Sequence, residues 1–182
     1  MDLPVLQTER LLLRGFTLAD APRVQALAGA REVAATTLTV PHPYEDGVAE
    51  AWIQGHAAGW QAGKRLSLAI TTAADGLVGC VSLSVVPQHR HGEIGYWIGV
   101  PFWNRGFATE SAAAVLAYGF GGLGLHRIVG RYLPRNPGSG QVLRKLGMRH
   151  EGTLREHVWK ACRFEDLECC AILEDEWRGR SS

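Results

Sequence analysis

The run from Glu93 to Phe120 constrains this chain most. Glu93-Ile94-Gly95-Tyr96-Trp97-Ile98-Gly99-Val100 reads as an apolar strand and Ser111 to Phe120 as a helix. Trp103-Asn104-Arg105-Gly106-Phe107-Ala108-Thr109-Glu110 joins them. A glycine at such a junction lets main chain approach a ligand closely, because no Cβ stands in the way. The first N–H groups of the helix lack intrahelical partners and lie at its positive end. Strand, small-residue turn and helix N-terminus together make a pyrophosphate seat out of main chain. The chain is therefore expected to bind a phosphorylated carrier through the N–H groups of Arg105, Gly106, Phe107, Ala108 and Thr109. The Arg105 side chain is either a charge-assisted contact or a solvated surface group.

Two other phosphate loops are excluded. No G-x-x-x-x-G-K-[ST] occurs, and no G-x-G-x-x-G opens a βαβ unit near the start with an acidic residue about 20 positions on. A second element strengthens the first: Asn136-Pro137-Gly138-Ser139, followed by Gln141-Val142-Leu143-Arg144-Lys145-Leu146-Gly147-Met148.

With these motifs the chain resembles the GCN5-related N-acetyltransferase (GNAT) superfamily, and more narrowly its branch that acetylates the N-termini of ribosomal proteins. The signature Q/R-x-x-G-x-G/A corresponds to Trp103–Ala108, with tryptophan first. N-x-x-S followed by L-x-K-L-G-F corresponds to Asn136–Met148, with methionine last. Leu6 to Arg14 matches the family's first strand, and Arg163 through Trp177 its last strand and tail. The resemblance implies an α+β fold: a central mixed, mostly antiparallel sheet, splayed between its fourth and fifth strands and flanked by helices on both faces. It implies a single N-acetyltransferase domain over residues 1–182 and acetyl-coenzyme A as co-substrate, with no metal.

The same resemblance distributes roles. Ile98 and Val100 are expected to pair with the pantetheine arm, just before Pro101, which cannot extend a ladder. Asn136 is either a contact to that arm or a helix N-cap. Many relatives carry a tyrosine at the position of Leu143; its absence leaves Ser139 as candidate acid for the leaving thiolate, or as a group that only orients the sulfur. A thiol of pKa near 8.5 scarcely needs an acid to leave. Glu93 opens an otherwise apolar strand and is the candidate base for the amine, directly or through water. Residues 93, 95 and 97 share one strand face. Tyr44 and Trp97 are expected to line the acceptor pocket, beside the Pro41–Tyr44 loop and the helix bearing Trp52, His56 and Trp60. His89, His91 and Glu93 form an H-x-H-x-E series that reads as a wet strand entry more than a zinc site.

The rest of the chain agrees. Leu11 to Arg14 reads as a strand, with a Thr17–Asp20 cap and a helix through Val24, Leu27 and Ala28 after it. Another helix spans about Glu45 to Gln61, followed by a hairpin turning at Ala74-Asp75-Gly76. His126–Tyr132, Arg149–Val158 and Phe164–Leu173 read as further strands. The 182 residues suffice for one core, and a formal net charge of +1 gives no reason to expect nucleic acid. Cys80, Cys162, Cys169 and Cys170 lack C-x-x-C spacing, and no secretory leader or membrane span is read. These features suggest a reduced, cytoplasmic protein, monomeric or homodimeric. The expected reaction is direct attack of an amine on the thioester. A protein N-terminus, a small amine, a longer acyl group or a non-catalytic acyl-coenzyme A domain remain as alternatives.

Overall fold

The computed structural model describes residues 2–180. β1 (Leu6–Gln7) and β2 (Leu12–Arg14) form a short hairpin, after which come α1 (Ala21–Ala28), α2 (Arg31–Thr36) and α3 (Val48–Gln61). β3 (Arg65–Thr72), β4 (Gly76–Val86) and β5 (His91–Ile98) make an antiparallel meander. α4 (Phe107–Gly121) then crosses to β6 (Arg127–Tyr132), and α5 (Pro137–Lys145) leads into the hairpin of β7 (Arg149–Lys160) and β8 (Arg163–Leu173), followed by α6 (Glu174–Arg178). The strands form one sheet in the order β1-β2-β3-β4-β5-β6-β8-β7. Among the described residues β5 and β6 form the one parallel pair, and α4 makes the crossover that joins them.

Strand alternation divides the sheet into two unlike faces. One carries Leu66, Leu68, Ile70, Val81, Leu83, Ile94 and Ile128, all buried. It packs on α4 and α5: a Cβ at Gly119 would meet Ile128 and Leu83, and one at Gly130 would meet Leu143. The other face carries Ser67, Ser82, Ser84, Gly95 and Glu93 beside Ala69, Cys80 and Trp97. α3 covers part of it, with Gly59 lying over Arg65. The polar face is the one that can hold a solvated substrate.

The expected splay is present, and its extent is readable in the register. Parallel pairing runs only from His91↔Arg127 to Ile94↔Gly130, whereas β5 continues to Ile98 and β6 to Tyr132. Buried Leu143 packs over Gly130 at the point where the two strands part.

Two details of the sequence reading change. The strand ends at Ile98; Val100 instead opens a 3-10 turn, Val100–Phe102, because Pro101 has no N–H to continue the ladder. His89 also leaves the strand: it closes a 3-10 turn, Pro87–His89, and Arg90 then turns left-handed at φ 51°. The H-x-H-x-E series therefore does not share one strand face. Among the described residues, no three His, Cys, Asp or Glu side chains gather as a metal site.

Candidate active site

Where β5 and β6 part, a cavity of about 1120 Å³ opens. The N-terminal turn of α4, the first turns of α5, the exposed side of β5 and the segment 36–41 with Tyr44 line it.

Its α4 end is built from main chain. Asn104 and Gly106 both take left-handed conformations, at φ 61° and 82°. The first main-chain bond of α4 runs from Glu110 N–H to Gly106 O at 3.1 Å. That leaves the N–H groups of Phe107, Ala108 and Thr109 without an intrahelical acceptor, at the helix's positive end. All three residues line the cavity, together with Gly106. The Arg105 side chain is turned elsewhere: its guanidinium pairs with Asp75 at 3.3 Å and lies over the Phe107 ring.

The turn is held from behind by residues far away in sequence. Glu110 Oε1 accepts from Thr8 Oγ1 at 2.6 Å and from Arg10 N–H at 3.0 Å, and its Oε2 accepts from Arg10 Nε at 2.8 Å. Arg10 Nη1 also donates to the Arg105 carbonyl at 3.1 Å. Burial pushes the Glu110 carboxyl up, but the hydrogen bonds from Thr8 and Arg10 outweigh it and hold the group below its ordinary value.

Along the splay, main-chain groups of β5 are exposed on one side. Gly99 N–H donates to Val78 O on β4, so by alternation the groups of Ile98 face the gap towards β6. The Ile98 carbonyl is taken by the Trp103 indole at 2.7 Å. Across the gap, Asn136 is the N-cap of α5: its Oδ1 accepts from Ser139 N–H at 3.1 Å, and its Nδ2 donates to Thr36 O at 3.1 Å. One Nδ2 hydrogen remains for a ligand.

The hydroxyl of Tyr96, on β5, lies 2.9 Å from Ser139 Oγ, where either oxygen can donate, and 3.3 Å from the Ser139 carbonyl, a second acceptor for its one hydrogen. Burial raises the Tyr96 pKa well above its ordinary value against the pull of the Ser139 bond, so it stays a neutral hydroxyl at physiological pH. On the polar face, Glu93 Oε2 lies 3.5 Å from Arg131 Nη1. Tyr44 and Trp97 both border the cavity, but Trp97 is only 9% exposed and belongs mainly to the core. Cys80 borders the cavity too, and burial pushes its thiol up to about 12, so it is not a nucleophile near neutral pH.

A family profile described as the acetyltransferase (GNAT) domain matches residues 10–149. This chain belongs to the GNAT acetyltransferase family. It is similar to an uncharacterized N-acetyltransferase of Bacillus subtilis (strain 168), YoaA, at 34% identity over 160 residues, covering 86% of this chain and 89% of that one. The solved structure of a GNAT-family acetyltransferase from Bacillus anthracis superposes with a TM-score of 0.84 at 25% identity, covering 94% of this chain and 99% of that one. A shorter match, 29% over 84 residues, covers 46% of this chain and 43% of the [ribosomal protein uS5]-alanine N-acetyltransferase of Escherichia coli (strain K12).

As a GNAT member the chain is an N-acyltransferase, and acetyl-coenzyme A is its acyl donor. The free N–H groups of α4 and the opened edge of β5 fit such a donor. Sequence reasoning missed two parts of this GNAT site. Tyr96 was read only as a strand residue, and nothing in its spacing marked an α5 partner 43 positions away. The Thr8–Arg10–Glu110 brace was equally hidden, although an acidic residue in a first helical turn beside an N-terminal Thr-Glu-Arg was visible in the sequence.

Proposed function

We propose that the enzyme transfers the acetyl group directly to an amine that enters over the polar face of the sheet, and that this amine is the N-terminus of a peptide or protein. Glu93 takes the ammonium proton, and the freed lone pair attacks the thioester carbonyl. The N–C bond forms, the C–S bond breaks with its electron pair on sulfur, and the second proton of the attacking nitrogen passes to the departing thiolate. The pyrophosphate lies on the N–H groups of Gly106, Phe107, Ala108 and Thr109, with that of Arg105 beside them. The pantetheine arm follows Ile98 and Asn136.

Ser139 orients the sulfur. With Tyr96 donating to Ser139 Oγ, the serine's own hydrogen is free to point at the departing thiolate, where a hydrogen bond stabilises developing charge. Tyr44 and Trp97 border the acceptor's path. The observation that carries the reading is the placement of Glu93 and the Tyr96–Ser139 pair in one cavity with the free N–H groups of α4. A peptide acceptor is further supported by the ribosomal-protein specificity named for the Escherichia coli relative.

The test is thermal unfolding with coenzyme A and with acetyl-coenzyme A, followed by mass spectrometry of peptides and small amines incubated with the enzyme and donor. A ligand at about 100 times its Kd adds about 2.7 kcal/mol of stability. A midpoint rise with both ligands and acetylated peptide N-termini are expected. Absence of any rise at millimolar ligand removes the donor site. Acetylation confined to small amines removes the peptide reading.

A further inference from the structure

The polar face of the cavity is charged unevenly. Among the described residues, Glu93 is the one lining carboxylate on that side, against the guanidinium groups of Arg65, Arg131 and Arg135. Arg131 faces Glu93 at 3.5 Å, and Arg135 is paired with Glu165. Arg65 has no carboxylate partner among the described residues, which makes it the cation there that an anionic ligand improves most.

The sheet register places Arg65 relative to the proposed base. Arg65 stands opposite Ser84, and Ser84 opposite Glu93, so the three form a row across β3, β4 and β5 on one face. Two inter-strand spacings put the Arg65 main chain roughly 10 Å from that of Glu93. Neighbours on the same side feel the guanidinium: Arg65 opposes the burial-driven rise of the Cys80 thiol and adds to the lowering of His56. Between the two ends of the row lie only Ser84 and the neighbouring Ser82, short hydroxyls that leave room along the sheet.

We infer that the acceptor is an amine carrying its own acid group, a carboxylate or phosphate, with the amine at Glu93 and the acid at Arg65. The span corresponds to an acid about one to three extended residues from the nitrogen, at roughly 3.4 Å per residue. The acid group takes no part in bond making: Glu93 still receives the ammonium proton, the N–C bond forms and the C–S bond breaks. A polyamine or a lysine-rich peptide meets a repulsive field in the same place. The inference rests on the transferase reading above and on Glu93 as the end that holds the amine.

The experiment measures coenzyme A release at saturating acetyl-coenzyme A with matched acceptors. The peptide arm compares alanyl-glutamate amide, alanyl-glutamine amide and alanyl-lysine amide. The small-molecule arm compares γ-aminobutyrate with butylamine and phosphoethanolamine with ethanolamine, with spermidine as the cationic extreme. In the arm that holds the true source, each acid is expected to exceed its neutral partner about tenfold or more in kcat/KM, and the cationic acceptor to be slowest. Arg65→Gln should raise KM for the acids about tenfold while leaving kcat and the neutral amines unchanged. Arg65→Glu should reverse the order between the glutamate and lysine peptides.

Equal rates for acids and neutral partners in both arms, uniform inactivity included, overturn the inference, as does a preference for the lysine peptide or spermidine. Thermal unfolding of the same samples separates the two readings. A midpoint rise with acetyl-coenzyme A beside such a result removes only the acidic acceptor. No rise removes the transferase site itself. The Arg65 side chain is solvent-exposed at the cavity edge, and the midpoints of its variants confirm that they fold.

Discussion

The Tyr96 hydroxyl on β5 stands 2.9 Å from Ser139 Oγ in the first turn of α5, so a hydrogen bond bridges the two walls of the cleft where the sheet splays. It joins a residue on the apolar face of the central strand to the hydroxyl proposed to meet the leaving sulfur. The bond fixes where that hydroxyl points.

Tyr96→Phe removes the bridge while keeping the ring. The expected result is a fall in kcat of about tenfold, equivalent to ~1.4 kcal/mol of transition-state stabilisation, with the Kd for acetyl-coenzyme A little changed. Steady-state kinetics and a binding titration separate the two. An equal rise in Kd with kcat preserved would assign Tyr96 to donor binding instead.

Glu93→Gln should slow turnover about a hundredfold below the pKa of the acceptor amine, where most of the amine is protonated. The defect should shrink as pH rises above roughly 8, where an α-amino group is already neutral. The pH profile of kcat/KM for wild type and variant checks this. A constant ratio across pH denies Glu93 the role of base.

Glu110 links stability to pH. Because its folded pKa is lowered, the stabilisation is complete above the ordinary carboxylate value and is lost as pH falls through the folded value. Glu110→Gln should cost about 1–3 kcal/mol at neutral pH, and the cost should shrink as pH falls through the lowered folded value and the native carboxyl is protonated too. Chemical denaturation along a descending pH series measures the change. The same variant should weaken acetyl-coenzyme A binding, since Thr8 and Arg10 brace the proposed donor turn largely through Glu110, with further contacts from Arg10 to the Arg105 carbonyl and the Phe107 ring.

Gly106→Ala tests the turn itself. Gly106 has φ 82°, and an added Cβ would come within 3.3 Å of Arg10 Nη2. A left-handed alanine costs about 1–2 kcal/mol, so a lower unfolding midpoint and weaker donor binding are expected together. Unchanged binding would mean that the N–H groups of this turn do not carry the pyrophosphate.

Cys80→Ala should leave kcat essentially unaltered, and intact-protein mass spectrometry after incubation with acetyl-coenzyme A should find no acyl adduct. The thiol is pushed up to about 12 by burial, so almost none of it is ionised at neutral pH. A stable adduct on Cys80 would replace direct attack with a two-step route.

Much of the fold was legible because it is local. Alternating apolar residues mark β3 and β4, Asp75-Gly76 marks their turn, and Gly106 marks the turn into α4, since each depends on residues a few positions apart. The end of β5 was misplaced by two residues because apolar Val100 continues the strand pattern, while the missing N–H of Pro101 stops the ladder. His89 shares the spacing of His91 and Glu93 but not their strand, because Arg90 reverses the backbone in between.

The sequence alone carried the order of elements, the glycine turn before α4, Glu93 at the head of an apolar strand, and Asn136 and Ser139 by their Asn-x-x-Ser spacing. The tertiary structure was needed for everything that depends on distant segments meeting. It joined Tyr96 to Ser139, Thr8 and Arg10 to Glu110, and Arg131 to Glu93, and it left Arg65 without a carboxylate partner among the described residues on the polar face. Spacing along a strand or helix is set by the backbone's own period, so a short window reveals it. Contacts across a sheet depend on register and crossover, which place residues about 100 positions apart within a hydrogen bond of each other.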